Sequence, residues 1–199
     1  MDDRPPTLTE RRKAATQLDI ARAAARLFTE HGAQGTTTEA IAASAGVALR
    51  TFYRYFRSKE DAVAPLLTVG ADAWRAHLAG APDGAPLRES VAEAIRSTLT
   101  DAEKDDSFPY TRGLLRAASD DPDLAGVWYR VNRESEQQLL PILARLAPEA
   151  DDLSLRLVAA AATDAIRIAF ETWAAGDDER APIDLAVRCF RALSGADVV

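Results

Sequence analysis

Apolar positions recur at intervals of three and four along almost the whole chain, and alternation with period two is scarce. That spacing lines one face of a helix, so the pattern predicts an all-α protein. Residues 1–10 read as a loose tail. A first helix is predicted over Arg11–Glu30, with Ile20, Ala23, Ala24, Leu27 and Phe28 as its buried stripe and Gly32 as its stop. A threonine hydroxyl in Gly35-Thr36-Thr37-Thr38 can cap a short second helix over Thr38–Ala45, with Glu39 in the first turn and Ile41 pointing inward. Gly46 ends it, Val47 packs beneath the turn, and a third helix follows over Leu49–Tyr55. Ser58 is placed as the cap of a fourth over Lys59–Leu78, which Pro65 is expected to kink.

Gly80–Pro86 reads as a loop between two bodies. Longer helices are predicted beyond it over Leu87–Glu103, Tyr110–Ala118, Pro122–Ala147, Leu153–Ala175 and Ile183–Leu193. Pro141 is expected to bend or split the third of these. The outcome is about nine helices in two units, a head over residues 11–58 and a body over residues 59–199.

Composition narrows the class. With 199 residues, 47% of them hydrophobic, the chain can bury a real core. Its longest apolar run, Leu157–Ala162, is far short of the roughly 18 residues that a membrane span needs. Met1–Thr9 has no apolar signal-peptide core, and Cys189 is the single cysteine, so no intrachain disulfide can form. A cytoplasmic protein without a membrane partner is expected.

Charge changes the picture further. The net charge of −7 argues against a nucleic-acid partner, but its distribution does not. Residues 1–60 hold ten Lys/Arg against seven Asp/Glu, a net +3, which leaves −10 for the other 139 residues. Arg50–Lys59 contains four cations and no acid. A small basic head on an acidic body suggests one surface made for an anion.

Two short helices joined through Gly46 form a helix-turn-helix, in which the first braces the second and the second enters the DNA major groove. Four of the ten Phe/Tyr residues fall between positions 52 and 56. Phe52 and Phe56, four apart, share a face and should turn toward the core with Val47. Arg50, Thr51, Tyr53, Arg54 and Tyr55 are then directed elsewhere. Their hydroxyls and guanidinium forks, with the Lys59 ammonium, suit phosphates, and Arg50 could instead read a guanine edge.

The run Gly35-Thr36-Thr37-Thr38-Glu39-Ala40-Ile41-Ala42-Ala43-Ser44-Ala45-Gly46-Val47, followed by Thr51-Phe52-Tyr53-Arg54-Tyr55-Phe56-Arg57-Ser58-Lys59-Glu60, resembles the tetracycline-repressor-like (TetR) regulators. Ala23-Ala24 and Leu27-Phe28 ahead of Gly32 extend the resemblance, which covers about residues 15–63. It implies a three-helix DNA-binding head, a ligand-binding and dimerising helical body, and repression relieved by a small molecule. It also implies that Thr37 caps a helix and touches a phosphate, that Ala48, Leu49, Arg50 and Thr51 read bases, and that Tyr53 and Tyr55 line the groove wall. Lys59 would be the phosphate clamp. Many members have serine where Ala48 stands; alanine cannot cap, so the third helix would start later and a phosphate contact would be missing.

One head with about four cations binds weakly. Two heads on a twofold axis fit half-sites about 34 Å apart, so a homodimer on a palindromic operator is expected. The last two long helices offer the self-association surface, through Ala162, Ile166, Phe170, Val187 and Phe190. The small-molecule effector is expected in an apolar cavity built by Trp74, Leu99, Phe108, Leu115, Trp128 and Val131, with Arg112, Asn132 and Thr163 as polar anchors. Trp74 lies on the fourth helix, which joins head to body and could act as a lever. The segment Arg112–Trp128, with Pro122 and Leu124, and then Arg133-Glu134, resembles the body of a TetR subgroup related to the mycofactocin regulators, which implies an acyl-CoA-like ligand. A body of net −10 offers such an anion no cationic entrance, so another lipophile is equally admissible.

Two other classes compete. An enzyme needs a nucleophile with a base, a carboxylate pair or a metal cluster. His31 and His77 are isolated, Cys189 sits beside Phe190 in an amphipathic helix, Asp120-Asp121 ahead of Pro122 reads as a helix start, and Glu149 with Asp151-Asp152 reads as a helix-linker acid cluster. No catalytic residue, metal site or cofactor is therefore expected. A protein–protein adaptor that kept the head without reading DNA would not need the basic run Arg50–Lys59.

Overall fold

The computed structural model describes residues 7–105, 108–178 and 180–195. Among them are nine α-helices, one short 3-10 turn and no strand. The helices are α1 (Leu8–His31), α2 (Thr38–Ser44), α3 (Leu49–Tyr55), α4 (Ala64–Ala79) and α5 (Leu87–Lys104), then α6 (Phe108–Ser119), α7 (Pro122–Leu146), α8 (Asp152–Ala175) and α9 (Ile183–Leu193). The all-α reading holds, and most helix ends fall within a residue or two of those predicted.

The exceptions have local causes. Helix α1 starts earlier, because Thr7 and Glu10 form a capping box: the Glu10 amide donates to Thr7 Oγ1 at 3.3 Å and the Thr7 amide to the Glu10 carboxylate at 2.7 Å. Residues 8–10 are thus helix rather than tail, and the remainder of the proposed tail, residues 1–6, lies outside the described residues. Helix α4 starts later than predicted. Ser58 Oγ instead accepts from the Asp61 amide at 3.2 Å, where the 3-10 turn Asp61–Val63 begins. Pro65 then falls in the first turn of α4, where its missing N–H has no intrahelical partner to lose, so the structure gives no reason for a kink. Helix α7 runs unbroken through Pro141. The carbonyl this proline leaves without a donor belongs to Gln137, an exposed residue, where water can satisfy it.

Two apolar clusters hold the helices together. The head cluster gathers Ile20, Phe28, Ile41, Phe52 and Phe56 with Ala62 and Val63, so the head's core runs past the boundary drawn at Ser58. The body cluster contains Trp74, Leu78, Ile95, Leu139, Leu143, Trp173 and Phe190. Burying a side chain of this size stabilises by about 1.5–3 kcal/mol. Helix α6 belongs to both clusters: Leu114 packs into the head's and Leu115 into the body's. It lies close against α1, for a Cβ built on Gly113 would overlap the side chain of Thr29.

Candidate nucleic-acid interface

The reading helix is set from below. Thr37 Oγ1 accepts from the Ala40 amide at 3.1 Å and opens α2. Gly46 follows with φ +66°, a left-handed turn that side-chain-bearing residues resist. The Val47 amide donates back to the Ala42 carbonyl at 2.9 Å and closes the turn. Ala48 occupies the cap position of α3 without a side-chain hydrogen bond, yet the helix starts at Leu49, carried by the Phe52 amide donating to the Ala48 carbonyl at 3.2 Å. The later start anticipated for an uncapped α3 does not occur.

Phe52 is wholly buried, and Phe56 packs against it with ring centroids 5.4 Å apart. With that edge of α3 anchored, the opposite edge faces outward. Tyr53 is 54% exposed, and Arg50, Arg54, Leu49 and Ala48 are exposed as well. Thr51 and Tyr55 are half-buried. The Arg54 guanidinium lies 4.9 Å from the centroid of the Tyr55 ring and donates to the Tyr55 hydroxyl at 3.3 Å, so the two form one unit.

Lys59 has a different first duty from the one implied by resemblance. Its Nζ donates to the Ala33 carbonyl at 2.6 Å and the Thr36 carbonyl at 3.0 Å, with the Glu60 carboxylate 3.7 Å away. Two of its three donors therefore brace the loop that carries Thr37. Nothing in the local sequence announces this, because its partners lie 26 and 23 residues away. The other cations around α3 have no carboxylate partner: Arg50, Arg54 and Arg57, like Arg11, Arg12 and Lys13 of α1, form no ion pair among the described residues.

In the body, Trp74, Leu99, Phe108 and Leu115 come together in one cluster with Trp128 against it, and Val131 is buried on α7. Phe108, Phe170 and Trp173 pack mutually, with centroids 5.5–6.0 Å apart. Two of the three expected anchors are committed elsewhere. Arg112 donates to the Trp173 and Gly176 carbonyls at 3.2 and 2.6 Å, closing the end of α8. Asn132 donates to Trp128, one turn back on its own helix, at 2.8 Å. Thr163 differs: it is buried and its hydroxyl has no hydrogen-bond partner among the described residues, and the same is true of Ser135 Oγ and Trp173 Nε1.

The proposed dimer residues need correction. Ala162, Phe170, Val187 and Phe190 are buried inside the single chain, and Ile166 is half-buried against the same core. Their apolar stripe is real, but the chain's own helices cover it. What α8 and α9 leave outside is Leu153 at 67% exposure, Leu157 at 47% and Leu193 at 40%.

Sequence reasoning placed helix α6 but missed its role at the junction between head and body. Besides the Gly113 crossing, Arg116 donates to the Ala174 carbonyl at 2.7 Å and the Gly176 carbonyl at 3.0 Å, beside Arg112. The signal was present: an isolated glycine inside a helical pattern, with arginines four apart on one face. No cluster of metal-ligating side chains occurs among the described residues, and no helix there is long and apolar enough to cross a membrane.

Residues 20–64 match the family of bacterial regulatory proteins, tetR family. The HTH-type transcriptional regulator TcmR of Streptomyces glaucescens is 29% identical over 144 residues, which cover 70% of this chain and 63% of that relative's length. Among solved structures, a TetR-family regulator from Syntrophomonas wolfei superimposes with a TM-score of 0.69 at 17% identity, over 94% of this chain and 99% of that one. Thermus thermophilus FadR, a TetR-family repressor solved with lauroyl-CoA, gives 0.58 at 22% identity, over 92% and 95%. At these identities the structural likeness extends to the fold.

Proposed function

We propose that the chain is a regulator of the tetR family, a reading supported by the match of residues 20–64 and by the TcmR relative, and that it is a cytoplasmic, ligand-responsive repressor that binds a palindromic operator as a homodimer. The observation that carries the reading is the outward edge of α3, where Arg50, Tyr53 and Arg54 stand exposed above a buried Phe52, with no carboxylate among the described residues paired to either arginine. A helix so presented fits the major groove. Ala48, Leu49, Arg50 and Thr51 meet base edges, while Thr37, Tyr53, Arg54 and Tyr55 meet phosphates. Lys59 acts mainly by holding the Thr37 loop in place.

The head thus reads DNA, and the body from residue 59 onward houses the effector and the dimer contact. A second copy covers the outer face of α8 and α9, where Leu153, Leu157 and Leu193 are exposed. The effector is a small lipophile bearing one or two oxygen acceptors. The aromatic interior supplies the apolar area, and the unpaired Thr163 and Ser135 hydroxyls and the Trp173 indole N–H supply the polar recognition. Thermus thermophilus FadR, solved with lauroyl-CoA, supports an acyl chain as one such class. Release follows if the effector binds better to the form whose heads do not fit the operator. Helix α6 gives the route, since one of its faces belongs to each core.

Selection from a pool of randomised duplexes tests the reading. An enriched inverted repeat with half-sites about one helical turn apart is expected; a pool that stays random after repeated rounds would overturn it.

A further inference from the structure

The first ten residues of α1 pose a question that the head's core does not answer. From Leu8 to Gln17 no side chain is buried; the first buried residue is Ile20. This stretch is about 15 Å long at 1.5 Å per residue. A helix that buries nothing is marginal by itself, yet this one begins in a full capping box. On one face, at the spacing i, i+3, i+4 and i+7, it carries Thr9, Arg12, Lys13 and Thr16.

That face is one wall of an open groove of about 400 Å³, and the other wall is Arg54 and Tyr55 at the end of α3. Three cations from segments some forty residues apart in sequence thus line one concavity that contains no carboxylate. None of the three has an ion pair among the described residues. Like charges gathered in this way repel unless an anion lies between them. The hydroxyls of Thr9 and Tyr55 add further polar capacity, although the Thr16 proton is already donated to the Arg12 carbonyl at 3.0 Å.

We infer that this groove is a second phosphodiester-binding site, in which Arg12 and Lys13 of α1 act with Arg54 of α3 to grip the DNA backbone beside the segment read by α3. The inference rests on the DNA-binding reading above and extends its footprint. Because Arg54 belongs to the reading helix and also lines the groove, a duplex seated on α3 continues past it toward the start of α1. The groove is open rather than enclosed, as a polymer passing through it requires. Contacts of this kind fix register and add affinity without reading sequence.

The test uses the full chain, the duplex obtained by selection and a mixed-sequence duplex of equal length, with binding followed by fluorescence anisotropy across a salt series. Replacing Arg12→Ala and Lys13→Ala together should flatten the slope of log affinity against log salt by about 1.8 per head, at about 0.9 per phosphate lost. Between about 50 and 200 mM salt that shrinks the fall in affinity by about tenfold per head. The change should be equal on both duplexes, and the selected sequence should not change. Restoring charge as Arg12→Lys with Lys13→Arg should recover the slope. Helix content and thermal midpoint should hold, since neither side chain is part of the core.

An unchanged slope in the alanine variant, with Arg50→Ala still impaired, would overturn the second site and leave the regulator reading standing. Absence of salt-dependent DNA binding by the unaltered chain would remove both. Displacement of the mixed-sequence duplex by inorganic phosphate at constant ionic strength, lost on replacing Arg12 and Lys13, would make the groove a free-phosphate site and overturn the assignment to DNA.

Discussion

The head and the body treat their cations differently. In the body, Arg96, Arg133, Arg145, Arg167 and Arg180 each meet a carboxylate within 4.0 Å. Arg112 and Arg116 close the end of α8. In the head, Arg22, Arg26 and Lys59 meet a carboxylate within 4.0 Å, but Arg11, Arg12, Lys13, Arg50, Arg54 and Arg57 have no such partner among the described residues. Arg88 aside, the body's own exceptions among the described residues are Arg156, Arg188 and Arg191, all on α8 and α9, where a second copy is proposed. An exposed ion pair contributes little stability, about 0–1 kcal/mol. What the contrast marks is which charges are already matched within the chain and which remain open to another molecule.

The severest way to break the contrast is to remove what orients the head's cations. Phe52→Ala should cost about 3–5 kcal/mol in urea unfolding and abolish operator binding, because the buried ring turns Arg50 and Tyr53 outward. Next is the junction between the regions. Gly113→Ala should destabilise by about 1–3 kcal/mol by forcing α6 from α1, and a companion Thr29→Gly should recover much of it in a double-mutant cycle. Additive losses would show that α1 and α6 are not in close contact there.

Substitutions at the free cations should separate binding from stability. Arg50→Ala should change unfolding by no more than about 0.5 kcal/mol, yet relax preference at one base position by about 1–3 kcal/mol if the guanidinium reads that base. Tyr53→Ala should weaken all duplexes alike, as measured by anisotropy, and unchanged affinity would count against the proposed docking. In the body, Leu157→Glu should shift sedimentation toward monomer, because it places charge on the exposed face of α8.

The smallest effect is expected at the start of α1. Hydrogen bonds from the Thr7 amide and hydroxyl hold the Glu10 carboxyl below its ordinary value. A carboxyl lowered by folding stabilises while it is ionised, so its contribution is complete above the ordinary glutamate range and fades as pH falls through the lowered value. Amide exchange in residues 8–13 should therefore quicken on acidification before the rest of α1 responds, and Glu10→Gln should remove that pH dependence.

Much of this was legible from sequence because it depends on near neighbours. The three- and four-residue apolar spacing marked nine helices, Gly46 marked the turn, and the four-residue separation of Phe52 and Phe56 showed which edge of α3 points outward. Those features follow from helical geometry within one or two turns. Tertiary packing alone decided what covers each apolar face and where each cation goes. Phe170, Val187 and Phe190 form a stripe that a second copy or the chain's own helices could bury, and the structure gives it to the chain. Lys59 could have met a phosphate, but the chain returns two carbonyls from the loop after α1 to its ammonium. An amphipathic pattern states that a face must be buried and a charge must be matched; the partner is chosen by contacts between residues far apart in the chain, which no local spacing encodes.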